Sequence, residues 1–297
     1  MMHMSSRPAR LLAWLGLFAA SAAGANTVPG WSRLEFVAAK FFMTARADVE
    51  VRRLPAAEVT PALLATPEGR PVQPGSEVLE LVYRASGFGR ESVTTLWADP
   101  ASGATLQRTE LDSGSRQRWR SYRFTDIGAY HFSRWPATDA EKPLPPERWT
   151  ERTQGLRAYP AAAVGQAVTE PTMLLWLAAA GDYQRAGDRG EVLTFSRKRV
   201  NRVTIEVTGR RAVRVDFEER SATGSRQRKD SVDAIVMRIR GQPIDAGADG
   251  DEDFELLGLR GDLELLVDPV ARLPLQLSGN VKIAGHVTAR LRRARLR

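Results

Sequence analysis

The residues whose types and spacing most resemble a binding motif lie between positions 116 and 123. Arginines alternate there with two aromatic residues, in the order Arg116, Arg118, Trp119, Arg120, Tyr122 and Arg123. Basic side chains among aromatic rings can bind single-stranded nucleic acid, because bases stack on the rings. A β-strand gives a plainer explanation, since residues 116, 118 and 120 would then share one face. We expect these three arginines to face solvent, Trp119 to pack inward, and the protein to have no nucleic-acid partner.

An acidic cluster near position 250 has the residue types of a calcium site. Its carboxylates are Asp249, Asp251, Glu252, Asp253 and Glu255. An EF-hand loop needs a glycine at its sixth position and a glutamate at its twelfth, and neither fits this stretch. We interpret it as a solvated acidic loop and predict no metal site.

Histidine and cysteine are scarce. Only His131 and His286 follow residue 25, and the chain has no cysteine. Two imidazoles are too few for a His-based zinc site unless carboxylates contribute. Neither a Gly-x-Ser-x-Gly elbow nor a Gly-rich phosphate loop is present. We predict no catalytic residue and no cofactor, although a pair of carboxylates acting as acid and base stays open.

The most suggestive apolar element is a helix predicted over residues 169–181. Thr169 is expected to cap it, Pro171 lies in its first turn, and Gly181 ends it. A helix that is apolar nearly all round is buried, and this one is too short to cross a membrane. A shorter helix is expected near residues 60–65, with Thr60 as its N-cap.

The apolar helix has two interpretations. It can be a core helix that covers one face of a sheet. It can instead line a groove for acyl chains. In that case the ligand-binding residues are Met173, Leu174, Trp176 and Leu177.

Most of the chain shows the period-2 alternation of β-strands. Residues 263–267 and 273–277 alternate on either side of Asp268-Pro269, which predicts a hairpin. Residues 77–135 predict a meander, because turn residues separate their strands. Residues 31–53 predict a long strand pair or one bent strand, with a bulge near Ala38 favoured over a tight hairpin. The fold class is mainly β: a large curved antiparallel sheet, a half-barrel-like meander, with a few short helices.

The N-terminus has the pattern of a secretory signal peptide. Arg7 and Arg10 precede the apolar run 11–20, and Ala23-Gly24-Ala25 matches a cleavage site. We expect a signal peptide at 1–25 and a single secreted β-rich domain at 26–297, with a candidate internal break at 139–165. The periplasm suits a large domain without disulfides. The chain is basic, with a formal charge of +8, which permits anionic partners.

The order of these elements resembles a known group of proteins. The resemblance rests on the signal peptide, the first strand pair, the meander, the helix insertion and the segment Val267-Asp268-Pro269-x-x-Arg272-Leu273-Pro274-Leu275. With these features the chain resembles uncharacterised secreted β-proteins of Proteobacteria, which are related in shape to the lipoprotein-carrier (LolA-like) half-barrels. The resemblance implies helices on the concave side of a curved sheet and a lipid or lipoprotein cargo, and supplies no catalytic residues.

The sequence is compatible with three functions. The first is a periplasmic envelope protein that binds an apolar or amphipathic ligand, either a lipid or an acylated protein. The second is an envelope interaction or scaffolding protein without a small ligand, and the third is a hydrolase. An apolar volume open to solvent would favour the first, a filled core with an exposed apolar patch the second, and a cleft with converging carboxylates or His131 the third.

Overall fold

The fold is one large sheet of sixteen strands, as described by a computed structural model. The structure describes residues 28–40, 43–87, 89–114, 116–196, 199–245, 254–282 and 284–297. Its strands are β1 Trp31–Lys40, β2 Met43–Pro55, β3 Glu77–Gly87, β4 Arg90–Ala98, β5 Thr105–Ser113, β6 Arg118–Phe124, β7 Gly128–Trp135, β8 Glu151–Ala158, β9 Val168–Thr169, β10 Arg189–Ser196, β11 Arg199–Ser221, β12 Gly224–Pro243, β13 Glu255–Leu256, β14 Leu259–Val267, β15 Pro274–Val281 and β16 Gly285–Leu296.

The strand order confirms the mainly antiparallel meander. It runs β8-β7-β6-β5-β4-β3-β2-β1-β16-β15-β14-β12-β11-β10-β9, with β13 on β14. All of these pairs are antiparallel except β9–β10. A further parallel contact joins Glu218–Arg220 of β11 to Arg293–Arg295 of β16. Strands β11, β12, β14, β15 and β16 therefore form a closed ring, with β1 to β8 continuing the sheet from β16 and β10 and β9 continuing it from β11.

Within the described ranges, two short α-helices accompany the sheet, α1 (Ala56–Val59) and α2 (Leu174–Ala180). Single 3₁₀ turns occur at Thr60–Ala62, Asp139–Glu141, Pro146–Arg148, Ala161–Ala163 and Pro171–Met173. Helix α2 packs on the face of the sheet that carries Leu34, Val49 and Leu81, which we call the inner face. Six of its seven residues are buried, as the apolar sequence predicts.

The sequence misplaced the start of both helices. Thr169 does not cap a helix, since it belongs to β9. The carboxylate of Glu170 accepts a 2.8 Å hydrogen bond from the Thr172 amide instead. The first helix begins at Ala56, four residues before the predicted cap at Thr60. In both places a proline supports the first turn, but tertiary contacts fix where that turn begins.

Three strand assignments also differ from the sequence expectation. Strands β1 and β2 pair up to Lys40↔Met43, so a hairpin replaces the expected bulge; residues 41 and 42 lie outside the described residues. The sequence pattern predicts two strands at 202–208 and 212–218, but residues 199–221 form one long strand with an irregularity at Gly209. The basic sequence of residues 290–297 predicts a tail that is half strand and half solvated end, but β16 pairs with β1 as far as Trp31↔Leu296.

The candidate break at 139–165 contains a strand as well as loops. Strand β8 pairs with β7 from Gly128↔Ala158 to Trp135↔Glu151 and forms one edge of the sheet. Whether 26–297 behaves as one domain stays a prediction. The signal peptide predicted at 1–25 lies outside the described residues.

The predicted hairpin around Asp268 is confirmed as β14–β15. The Asp268 carboxylate accepts hydrogen bonds from the amides of Val270 at 2.8 Å and Ala271 at 3.0 Å. Its other oxygen pairs with Arg228 at 2.7 Å. Asp268 is 2% exposed, so this buried carboxylate is compensated both by backbone donors and by a guanidinium.

Candidate ligand-binding site

A cavity of about 810 Å³ lies on the inner face, open to solvent, beside Leu175 of α2. It lies where the hairpins β1–β2, β3–β4 and β5–β6 turn, and it extends to β15 and β16. This volume is within the range of about 300–1,000 Å³ that is typical of small-molecule sites. The cavity is therefore large enough to receive part of a lipid-sized ligand.

A gradient in side-chain size creates this cavity. Along β1 the inner face carries Leu34, then Phe36, then Ala38. Along β2 it carries Val49 and then two alanines at positions 47 and 45, which line the cavity. The large side chains pack against α2, and the small ones leave the space beyond it unfilled.

The same small side chains occupy neighbouring strands. Ala38 pairs with Ala289 on one side and with Ala45 on the other. A Cβ added at Gly87 would lie 3.2 Å from the Cβ of Ala45, so a larger residue there would crowd β2. The apolar wall is completed by Tyr83, Ala85, Leu277 and Val287.

The cavity wall becomes polar from β4 onward. The register runs from Ala85 to Ser92, from Ser92 to Asp112, and from Asp112 to Arg118. One inner-face row of the sheet thus changes from apolar to charged within three strands. From β4 onward the described lining contains two acids, Glu91 and Asp112, and a larger set of cations: Arg90, Arg116, Arg118, Arg120 and Lys142. The polar end of the cavity therefore carries an excess of positive charge.

A compensated charge network lies next to this end. Arg108 lies 3.0 Å from Glu110, and its Nε is 3.3 Å from Glu170 without hydrogen-bond geometry. Arg120 contacts both Glu110, at 3.4 Å, and Asp112. Burial alone would raise the pKa of Glu110, but the nearby Arg108 and Arg120 hold that pKa below its ordinary value. The opposite charges of the network compensate one another, although the Nε atoms of Arg108 and Arg120 have no hydrogen-bond partner among the described residues, and such compensation suits a structural role.

One backbone strain lies at the cavity. Leu257 and Gly258 form the turn between β13 and β14, with φ of 52° and 84°. A leucine in the left-handed region costs about 1–3 kcal/mol. Both residues line the cavity, and Leu257 is half-buried against the core.

The structure places the four predicted ligand-binding residues in the core beside the cavity. Met173, Leu174 and Trp176 are at most 3% exposed, and Leu177 is half-buried. None of the four lines the cavity, whereas their neighbour Leu175 does. Their role in binding stays a prediction. The signal that points to the cavity is the alternation of alanines on β1, β2 and β16.

The orientation expected for the arginines near position 118 is borne out in part, because Arg116 and Arg118 are exposed, whereas Trp119 is half-buried on the side of the strand away from the cavity. Arg116, Arg118 and Arg120 line the cavity, and Trp119 does not. The period-2 alternation was right, but the sheet curves so that the arginine side is the inner one. The aromatic residue Tyr122 lies under Arg108, whose guanidinium is 5.8 Å from its ring centre. The arginines and aromatic residues of this stretch therefore do not form one surface. Arg116, Arg118 and Arg120 line the cavity, whereas Trp119 does not and Tyr122 contacts Arg108 of the charge network.

The other candidates named from the sequence lie outside the cavity lining, as far as the structure describes them. The His131 ring nitrogen Nδ1 lies 2.7 Å from the Gly155 carbonyl oxygen, and the ring stacks on Tyr122 at 6.3 Å. His131 does not line the cavity. In the described part of the chain no group of three or more potential metal ligands is found. Within the acidic cluster, Glu255 pairs with Arg260 at 2.9 Å, and residues 249–253 lie outside the described residues.

Comparisons with known proteins add no assignment. No protein-family model, no curated protein and no solved structure matches the chain. The resemblance to lipoprotein carriers therefore stays a prediction. Among the described residues, no helix has both the length and the apolar character that a membrane crossing requires.

Proposed function

We propose that this protein binds an amphipathic ligand, a lipid or an acylated protein, in the inner-face cavity. The observation that carries the proposal is a solvent-open volume with an apolar wall at one end and a cationic wall at the other. An acyl chain fits the alanine-lined end, and a polar head group fits the arginine-lined end. Export to the periplasm through residues 1–25 belongs to the same proposal.

The energetics suit such a ligand. Each buried methylene contributes about 0.8 kcal/mol, so ten of them would supply about 8 kcal/mol. Immobilising the chain and the protein side chains subtracts several kcal/mol from this gain. A micromolar dissociation constant corresponds to a binding free energy of about 8 kcal/mol. After those costs the apolar end alone falls short of this value, so micromolar or tighter binding requires a contribution from the cationic end.

A binding cavity is favoured over a flat interaction surface. The large apolar side chains exposed in the described ranges are Val28, Val93, Leu111, Val164 and Val270. Val93 and Leu111 are cross-strand neighbours, and the others lie apart in the sequence. Scattered apolar residues of this kind are ordinary on soluble proteins.

A cavity-filling variant tests the proposal. In Ala47→Phe the phenyl ring would project into the apolar end of the cavity, because Ala47 lines that end. We expect wild-type protein to bind a fluorescent fatty acid saturably and Ala47→Phe to bind it at least about tenfold more weakly. Ala101→Phe, in the exposed turn between β4 and β5, is the matched control. Equal binding by all three proteins would contradict the proposed site.

A further inference from the structure

Arg118 differs from Arg120, the next arginine on the same side of β6, in the way that it is held. Its Nε donates a 2.8 Å hydrogen bond to the Ser133 hydroxyl, which is buried. Its guanidinium carbon lies 5.0 Å from the ring centre of Trp135. Both Arg118 and Trp135 line the cavity. The guanidinium is thus fixed by a hydrogen bond and a ring contact, neither of which neutralises its charge.

The neighbouring acids do not neutralise Arg118 either. Asp112 lies directly opposite Arg118 in the strand register. Its carboxylate instead pairs with Arg120, which also contacts Glu110. Within the described ranges no carboxylate forms an ion pair with Arg118. Its two terminal nitrogens therefore remain as donors beside the open cavity.

We propose that Arg118 binds the oxyanion of the ligand head group, either a carboxylate or a phosphate, through these terminal nitrogens. This inference rests on the proposed function, since it takes the acyl chain to lie in the apolar end. A planar guanidinium matches both oxyanions by donating two parallel hydrogen bonds. Ser133 is a positioning residue, because it acts only by accepting the hydrogen bond of Arg118 Nε and so orienting the guanidinium plane.

The register supports this placement. Ala85, Ser92, Asp112 and Arg118 occupy one row across adjacent strands. Neighbouring strands lie about 4.8 Å apart, so Arg118 is about 14 Å from the strand of Ala85. A single-chain lipid can span that distance, with its chain over the alanines and its head group at Arg118. The surrounding excess of cations favours an anionic over a neutral head group.

Ligands that share one chain and differ in head group test the inference. Dodecanoate, dodecyl phosphate and dodecanol would be titrated calorimetrically into wild-type protein, Arg118→Gln and Ser133→Ala. We expect wild-type protein to prefer both anions over dodecanol by about tenfold or more. Arg118→Gln should remove most of the preference without changing dodecanol binding, with a small remainder from the surrounding cations, and Ser133→Ala should reduce the preference partly. The more tightly bound anion would identify the head group as carboxylate or phosphate.

Arg152→Gln is the charge-matched control, since Arg152 is exposed on β8 outside the cavity. It should keep the full anion preference. If Arg118→Gln kept the anion preference, or lost affinity equally for all three ligands, the head-group inference would be overturned while the proposed function stood. If wild-type protein bound none of the three ligands, the proposed function would fail together with the inference.

Discussion

The Nε of Arg272 donates a 2.9 Å hydrogen bond to the carbonyl oxygen of Ala179, near the end of α2. The same guanidinium also donates to the carbonyls of Gly181 and, at 3.2 Å, of Tyr183. The last carbonyls of a helix have no partner within the helix, so Arg272 satisfies groups that would otherwise need water. The segment that carried the sequence resemblance therefore attaches the β14–β15 turn to the helix beside the cavity.

Replacing Arg272 should loosen this attachment. Arg272→Ala removes charge-assisted hydrogen bonds to three carbonyls and should lower the free energy of unfolding by about 3 kcal/mol. Urea unfolding measures the change. Val270→Ala, a change at a 90% exposed residue of the same turn, should stay within about 0.5 kcal/mol of wild type. Equal stability of the two variants would show that the guanidinium does not hold α2.

Trp176 should act as a core residue. Its ring meets that of Trp31 edge to face at 6.0 Å, and it is 3% exposed. Trp176→Ala should cost about 3–5 kcal/mol of stability, because it leaves a large void. Fatty-acid affinity, measured on the folded fraction, should not change, since Trp176 does not line the cavity. A small loss of stability with weakened binding would instead support the groove role predicted from the sequence.

Leu257 should separate stability from binding. Leu257→Asn keeps a residue that tolerates the left-handed conformation and removes an apolar side chain from the cavity wall. Relief of about 1–3 kcal/mol of strain should largely offset the lost burial, so the unfolding free energy should change little. Affinity for a fatty acid should fall several-fold. A variant that binds as tightly as wild type would remove Leu257 from the site.

Glu218 should make the β11–β16 contact sensitive to acid. It accepts hydrogen bonds from Arg220 at 2.6 Å, Arg293 at 2.7 Å and Ser225 at 2.9 Å, which lower its pKa to about 2. A depressed folded-state pKa contributes stability above the ordinary value of 4.5, and this contribution is lost as the pH falls toward 2.

The matching variant removes that dependence. Glu218→Gln should be less stable than wild type near neutral pH and should lose less stability between pH 4.5 and 2. Urea midpoints across this range measure the difference. Glu68→Gln, on an exposed loop, is the control and should follow the wild-type curve. Parallel curves for wild type and Glu218→Gln would show that the carboxylate does not contribute to closing the ring.

The sequence predicted the type of most elements but not their long-range partners. Period-2 alternation identified the meander and the Asp268 hairpin, because each depends on residues close in sequence. The pairing of the C-terminus with β1 depends on strands more than 250 residues apart, as in Trp31↔Leu296, and no local pattern indicates it. Burial of Thr169 in β9 overrode its preference for a helix cap.

The candidate site was harder to predict than the fold. The large apolar side chains of α2 are conspicuous in the sequence and suggested a binding helix, yet they fill the core. The cavity arises from small residues such as Ala38, Ala45 and Ala289, whose alignment depends on register across three strands. The side of the sheet that faces inward near Arg118 depends on curvature, which alternation alone does not determine.

Native mass spectrometry tests the central claim most directly. Wild-type protein and Ala47→Phe would be purified without detergent from bacterial cells and ionised under conditions that preserve complexes. We expect part of the wild-type protein to carry a co-purified acylated molecule, or to take up added dodecanoate at a ratio of one, and Ala47→Phe to do neither. If wild-type protein carried no co-purified ligand and took up no added fatty acid, phospholipid or acylated peptide, the proposed ligand-binding cavity would be wrong.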